Sequence, residues 1–525
     1  MNKFFLVLLT AVSLFACQTD DFMYSEYDVY YKNAFQTSNG SVLESAAFVD
    51  SVAYISDDEI SIKGSFEYAA DDIIKYGHCW VEGNNIPVIN KDSSNCTFFD
   101  DFVYSGDSYY SKIKNLKFEN NYCIRSFIVT RSGKVGYNPS VTKVKTGIPH
   151  DKWNFAGAMS LAARADGVSI ITVNDNNDTV TYFGLGRNAS ACFSDFFKFD
   201  NSHKVAEQLS NVRGRGSLIA LWGAVGFYLN YVDDAKQKLT KIYVGCGCST
   251  ASDCTNENCS RNFYVYDIES NKWGDVYYDM EGVKNTADNM YPFMGQFRVG
   301  AVGFSIDKYG FVGLGKTVRN EYHSDFYVWK PRQDENGKVD PTRGYFEPQD
   351  AYFPAPGRSG SSVVIVDNVA YIIGGEMKDG YSDDVYQCRF TLPNQAAKDD
   401  VFKFAWKLIK KFPDGLDARA YGSAFAIGDY IFYGTGENYD GVKADMFKYD
   451  LTNNRIMMVS DYKNGLEEAD PLDENILIAP GISRAFCINA GDRAYLGCGY
   501  FGDGDKSRNV DYVSKYTNAL WCYRP

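Results

Sequence analysis

The sequence predicts an all-β protein: a small N-terminal β-sandwich followed by a larger body of six repeated four-stranded units. Three observations predict it. First, an aromatic residue followed closely by two glycines recurs six times between residues 182 and 499, at intervals of about sixty residues. The copies are Tyr182-Phe-Gly184-Leu-Gly186, Tyr243-Val-Gly245-Cys-Gly247, Phe311-Val-Gly313-Leu-Gly315, Tyr371-Ile-Ile-Gly374-Gly375, Phe432-Tyr-Gly434-Thr-Gly436 and Tyr495-Leu-Gly497-Cys-Gly499. Second, each copy is trailed by Asp or Asn and a short apolar run ending in an aromatic or Cys. These runs are Asp195 to Phe199, Asn262 to Tyr266, Asp325 to Trp329, Asp384 to Cys388, Asp445 to Tyr449 and Asn518 to Cys522. Third, the period is missing before residue 148, where short alternating runs and polar turns take its place.

In chain order, residues 1–16 form a secretion signal, with Lys3 ahead of an apolar core from Phe4 to Phe15 that is too short to span a bilayer. Leu14-Phe15-Ala16-Cys17 resembles the bacterial lipobox, which implies that Cys17 is lipidated and becomes the first residue. Gln18-Thr-Asp-Asp21 resembles the acidic stretch of Bacteroidota-type surface lipoproteins, so residues 17–40 are expected to be a tether. No other stretch is long and apolar enough to span a membrane, and the lipid is the expected membrane contact.

Residues 41–147 read as a β-sandwich. Ile60-Ser-Ile62-Lys-Gly-Ser-Phe66 and Tyr122-Cys-Ile124-Arg-Ser-Phe127 alternate, and turns such as Arg131-Ser-Gly133 separate the runs. The segments at Tyr76-Gly77-His-Cys-Trp80 and Gly133-Lys-Val-Gly136-Tyr137-Asn138 resemble short fibronectin-type-III-like modules, which implies a spacer. The boundary falls near Thr146-Gly-Ile-Pro149.

Residues 150–525 hold the repeat. Arg298, Arg358 and Arg419 each stand thirteen positions before the aromatic of their unit, Arg484 stands at eleven, and Arg164 and Arg215 fill the slot where longer hairpins intervene. One unit then reads Arg, apolar strand, turn, glycine-ended strand, loop, aromatic strand, turn, last strand, which is the content of a propeller blade. At this point the chain resembles the kelch family, most faithfully in unit four with Tyr371, Gly374, Gly375, Tyr386 and Trp406. The resemblance implies a six-bladed kelch-like β-propeller. Most units depart from the family pattern in having Gly-x-Gly for Gly-Gly. Unit six ends with no fourth strand, and the segment around Trp153 is expected to supply it and close the ring.

Composition excludes some functions. A formal net charge of −14 argues against nucleic acid as a partner. Aromatics at 16%, with 40 Tyr, suit strands and sugar stacking alike, so they do not choose between them. Thirteen Cys in an exported chain make disulfides plausible. Cys246, Cys248, Cys254 and Cys259 cluster in one hairpin, where a loop disulfide such as Cys254–Cys259 is expected ahead of zinc or buried thiols. The four His, at 78, 150, 203 and 323, are too scattered for a metal centre, including the copper centre of some kelch-like oxidases, and no metal or cofactor is expected.

In kelch proteins the Arg position begins the innermost strand near one mouth of the central channel. Carried over, Arg164, Arg215, Arg298, Arg358, Arg419 and Arg484 would ring that mouth. They would serve either as structural donors to carbonyls of the neighbouring blade or as a site for an anionic ligand. The expected function is that of an outer-membrane lipoprotein facing the cell exterior, whose propeller binds an extracellular glycan or protein. The alternative is a sugar-modifying enzyme of the sialic acid mutarotase kind, with Glu376 and Glu437 as the carboxylates to consider.

Overall fold

The computed structural model describes residues 46–525 apart from several short internal segments, the longest of them 503–514. The signal segment, Cys17 and the tether lie outside the described residues. Among those described, every regular element is a strand, and the chain is all-β. No helix among them is long and apolar enough to cross a membrane. The chain divides into two compact units, 1–149 and 150–525.

The first unit has two antiparallel sheets. Ala46–Ile55, Ile60–Ala69 and Ser108–Ile113 form one. Ile73–Glu82, Asn121–Thr130, Val135–Tyr137 and Thr142–Lys145 form the other. Alternation places Ile60, Ile62 and Ile113 of the first sheet against Ile124 and Val144 of the second. Within this core His78 is buried, with Nδ1 2.7 Å from Ser111 Oγ and Nε2 3.4 Å from Asp50 Oδ1. Asp50 also accepts from the Ser126 amide at 2.9 Å and from Asn138 Nδ2 at 3.0 Å. A Ser, a His and an Asp in contact invite a catalytic reading, but Ser111 and His78 have no exposed surface for a substrate to reach. The Ser111 hydroxyl and His78 Nδ1 instead satisfy one another inside an apolar interior.

Among the described residues the second unit contains six large sheets, each built on an antiparallel meander of four strands, together with smaller two- and three-stranded ones. The fourth, for example, runs Ser362–Val366, Val369–Ile373, Asp384–Thr391 and Lys403–Lys411. The third carries a fifth strand, Tyr277–Tyr278, which pairs in parallel with its edge and which the repeat did not announce. The sixth is completed from the front of the unit. Lys152–Ala158 pairs with Ala519–Arg524, setting Trp153 opposite Tyr523 and Phe155 opposite Trp521.

The first strand of each sheet lies beside the first strand of the next. The series passes through Val168–Val173, Val225–Val232, Val302–Ile306, Ser362–Val366, Ser423–Ile427 and Phe486–Asn489, and the last lies beside the first. Apolar clusters sit between neighbouring sheets rather than at one centre. Phe304 and Phe311 of the third sheet pack with Phe404 of the fourth, and Phe432 of the fifth packs with Tyr523 of the sixth. Phe183 of the first sheet meets Phe486 of the sixth at 5.0 Å between ring centroids. A unit of this kind has no apolar face that it can bury alone, which is why the aromatic positions recur.

Candidate functional site

Two hydrogen-bonded series explain the glycines. The N–H of the second glycine in each motif reaches a carbonyl of the next sheet: Gly186 to Leu221, Gly247 to Arg298, Gly315 to Arg358, Gly375 to Arg419, Gly436 to Ile482 and Gly499 to Arg164. At Gly436, with φ of +85°, an added Cβ would lie 2.6 Å from the Ala420 carbonyl oxygen. The second series joins one residue per sheet. Asp166 N–H donates to Arg484, Arg484 to Tyr421, Tyr421 to Gly360, Gly360 to Gly300, Gly300 to Gly223 and Gly223 to Asp166, so the series returns to its start. All six of these residues have left-handed backbone, with φ between 55° and 66°.

Around this cycle lies a half-open cavity of about 290 Å³, lined in part by Asp166, Arg187, Trp222, Lys316, Tyr421 and Arg484. Three of the six cycle positions are glycine, which costs nothing in left-handed backbone. The other three are Asp166, Tyr421 and Arg484, each holding a conformation that costs an L-residue roughly 1–2 kcal/mol. Their side chains form one network. Arg484 Nη1 donates to Asp166 at 2.6 Å, Nη2 donates to Glu437 at 2.5 Å, and the guanidinium lies 3.7 Å from the Tyr421 ring centroid. Arg187 Nε donates to Asp166 at 3.0 Å, with its guanidinium 3.6 Å from the Trp222 centroid. Lys316 reaches both oxygens of Glu376, at 2.9 and 2.7 Å, and the same carboxylate accepts from Tyr322 at 2.7 Å and Tyr421 at 3.1 Å.

Electrostatics follow the contacts. Burial alone would raise the Asp166 pKa, but the charges of Arg484 and Arg187 and their hydrogen bonds outweigh it and hold the carboxyl below its usual range. Burial likewise opposes ionisation of Glu376, and hydrogen bonds from Lys316 and Tyr322 overcome it, leaving a lowered pKa. Arg484 is pushed the other way: burial favours its neutral form, yet Asp166 and Glu437 hold it firmly charged. Both acids are thus anions near neutral pH, in a cluster whose three cations and three carboxylates balance.

The Arg positions separate into two groups. Arg164, Arg298, Arg358 and Arg419 are buried ahead of the first strands of their own sheets and do not line the cavity. Each binds the Asp at or directly before the start of its third strand. Arg298 reaches Asp325 at 2.7 and 3.1 Å, Arg419 reaches Asp445 at 2.6 and 2.8 Å, Arg358 reaches Asp384 at 2.5 and 3.5 Å, and Arg164 holds Asp195 through both carboxylate oxygens. Each also donates to a carbonyl of its glycine motif, as Arg298 does to Leu314 at 2.9 Å. Their partners lie within their own repeat unit, and not in the neighbouring blade as the structural expectation had it.

Arg215 is outside the series. It occupies an exposed turn between Arg213–Gly214 and Ser217–Leu218, and the buried Leu221 holds the expected position. Arg484 is two residues beyond its position, which Ile482 takes, and this offset carries it to the cavity. Glu376 and Glu437 are beside the cavity, each spent on partners rather than free for proton transfer. Their place follows a rule that was readable in the sequence, since the residue after the second glycine is Arg187, Cys248, Lys316, Glu376, Glu437 or Tyr500. Asp166, Trp222 and Tyr421 had no such signal.

The cysteine hairpin also differs from expectation. The disulfide joins Cys248 to Cys254, not Cys254 to Cys259, although Cys259 faces Cys248 as a bridge pair and its sulfur lies 3.0 Å from that of Cys254. Cys246 is buried in the apolar cluster between the second and third sheets instead. No protein-family model matches this chain, and neither does any curated protein.

Proposed function

We propose that this protein is a lipoprotein of the outer membrane, anchored through Cys17 and facing the exterior, that binds an extracellular glycan or protein through an acidic group. Residues 41–147 serve as a fibronectin-type-III-like spacer, and residues 150–525 as a six-bladed kelch-like β-propeller whose axial cavity is the binding site. The returning series of six backbone hydrogen bonds and the pairing of Trp153 with Tyr523 support the propeller.

The observation that carries the ligand class is an excess of donors. Four hydrogen bonds already fill Glu376. Lys316 has three N–H groups and gives two to Glu376, and Arg187 gives Nε to Asp166 and Nη1 to the Ala251 carbonyl, leaving Nη2 with no partner among the described residues. A ligand rich in acceptors complements such a cavity, and a carboxylate or sulfate does so with charge assistance.

The test is calorimetric titration of the full chain with an oligogalacturonate and with its methyl ester, which has the same backbone without the charge. Binding of the acid alone, weakening as salt rises, is expected. Equal binding of both, or of neither in a panel that includes sulfated glycans and acidic peptides, removes the acidic-ligand assignment.

A further inference from the structure

Cys248 occupies, in the second sheet, the position that carries Arg187, Lys316 and Glu376 in the first, third and fourth. Between it and its disulfide partner Cys254 lie Thr250 and Ala251. The Thr250 carbonyl accepts the Trp222 indole N–H at 2.6 Å, and the Ala251 carbonyl accepts Arg187 Nη1 at 3.1 Å. A short covalent loop thus supplies the acceptors that hold an aromatic ring and a cation at the axial cavity. A third sulfur stands at the same place: Cys259 Sγ is 3.0 Å from Cys254 Sγ, and all three sulfurs lie within 4.8 Å of one another.

We propose that Cys254 exchanges disulfide partners between Cys248 and Cys259, and that the exchange governs how firmly Arg187 and Trp222 are held at the cavity. The consequence for ligand binding rests on the axial site proposed above, whereas the exchange itself does not. The Cys259 thiolate attacks Cys254 Sγ. A Cys254–Cys259 bond forms as the Cys248–Cys254 bond breaks, and the electron pair leaves on Cys248, which takes up the proton that Cys259 released. The step is an isomerisation and consumes no oxidant or reductant. In its product Thr250 and Ala251 are no longer enclosed by a disulfide, so their carbonyls lose the constraint that aims them at Trp222 and Arg187.

Burial raises the Cys259 thiol to about 11, so its thiolate is scarce at neutral pH and the exchange is slow there. Below that value the rate should rise roughly tenfold for each unit of pH, as the thiolate fraction does.

The experiment uses the full chain as wild type, Cys259→Ser (which keeps Cys248–Cys254) and Cys248→Ser (which leaves Cys254–Cys259). Free thiols are trapped with N-ethylmaleimide after acid quench, and the disulfides are mapped by mass spectrometry. Wild type moved from pH 7 to pH 10 should yield both disulfides, while Cys259→Ser yields one. Amide exchange at the Ala165–Arg187 bridge, which needs no ligand, should be about tenfold faster in Cys248→Ser than in Cys259→Ser. Oligogalacturonate should bind Cys248→Ser about tenfold more weakly. If the mapping and exchange behave as stated but no form binds the oligosaccharide, the ligand assignment fails and the switch stands. Wild type that keeps Cys248–Cys254 alone at pH 10, or equal protection of Arg187 in the two variants, overturns the proposal. If Cys248→Ser does not fold, the wild-type mapping still decides.

Discussion

Arg419, ahead of the first strand of the fifth sheet, and Asp445, directly ahead of its third, are joined by two N–H···O bonds of 2.6 and 2.8 Å, with the guanidinium buried. The same pair recurs as Arg164–Asp195, Arg298–Asp325 and Arg358–Asp384. In the two sheets where Leu221 or Ile482 replaces the arginine, the acid is an amide, Asn262 or Asn518. Charge is kept or dropped as a pair, because a buried ion left alone is far costlier than a buried amide.

Arg419→Leu is therefore expected to cost about 3–5 kcal/mol of stability, the range for breaking a buried pair. The double variant Arg419→Leu, Asp445→Asn copies the second and sixth sheets and should recover about 1–3 kcal/mol of that loss. Denaturant unfolding of the two single variants and the double variant measures the coupling. Strict additivity would show that the carboxylate is stable without its arginine.

Trp153 completes the sixth sheet and packs on Tyr462 and Tyr523 with ring centroids 5.3 and 5.2 Å away. Trp153→Ala should lower stability by about 3–5 kcal/mol. Amide exchange should accelerate first along Ala519–Arg524, the strand it covers. A loss below about 1 kcal/mol would mean that the sheet does not depend on the front of the unit.

The first unit should weaken in acid. Burial raises the Asp50 pKa, but His78 and Ser126 outweigh it and hold the carboxyl below its usual range. A depressed carboxyl contributes stability that is present above the unfolded pKa and lost as pH falls through the folded one. Protection of Asn121–Thr130 should therefore drop as pH falls below about 4 in wild type, and less steeply in Asp50→Asn. Parallel pH profiles for the two would assign the acid sensitivity to another group.

For the anchor, Cys17→Ala should leave an unprocessed or soluble protein, since an acyl chain contributes about 0.8 kcal/mol per buried CH₂. Membrane fractionation with intact-mass measurement reads this directly. A processed variant that still sediments with membranes would remove the lipid anchor.

Much of the architecture was legible because it repeats. The glycine and aromatic spacing located the six sheets, and the short sixth unit pointed to the strand at Trp153. The cavity was harder to read. Counting back from the aromatic placed Arg215 and Arg484 in one series with Arg298, but the hairpin at 213–218 and a two-residue offset at Arg484 break that count. Asp166 and Tyr421 reach the cavity through left-handed backbone at positions where other sheets have glycine, and one sequence does not show which copy has exchanged freedom for a side chain. The disulfide partner depended on how closely the chain after Cys248 returns Cys254 to it, and spacing alone does not contain that.

The cavity lined by Asp166, Lys316, Tyr421 and Arg484 is the proposed binding site, and Lys316→Met tests it most directly. The substitution removes a donor that faces the cavity and leaves Glu376 with Tyr322 and Tyr421 as partners. Titration with oligogalacturonate should show a loss of about 1.5–3 kcal/mol, the worth of a hydrogen bond to a charged group, with a shallower dependence on salt. Unchanged affinity and salt dependence in a folded Lys316→Met protein that still binds the oligosaccharide would place the binding site somewhere other than this cavity.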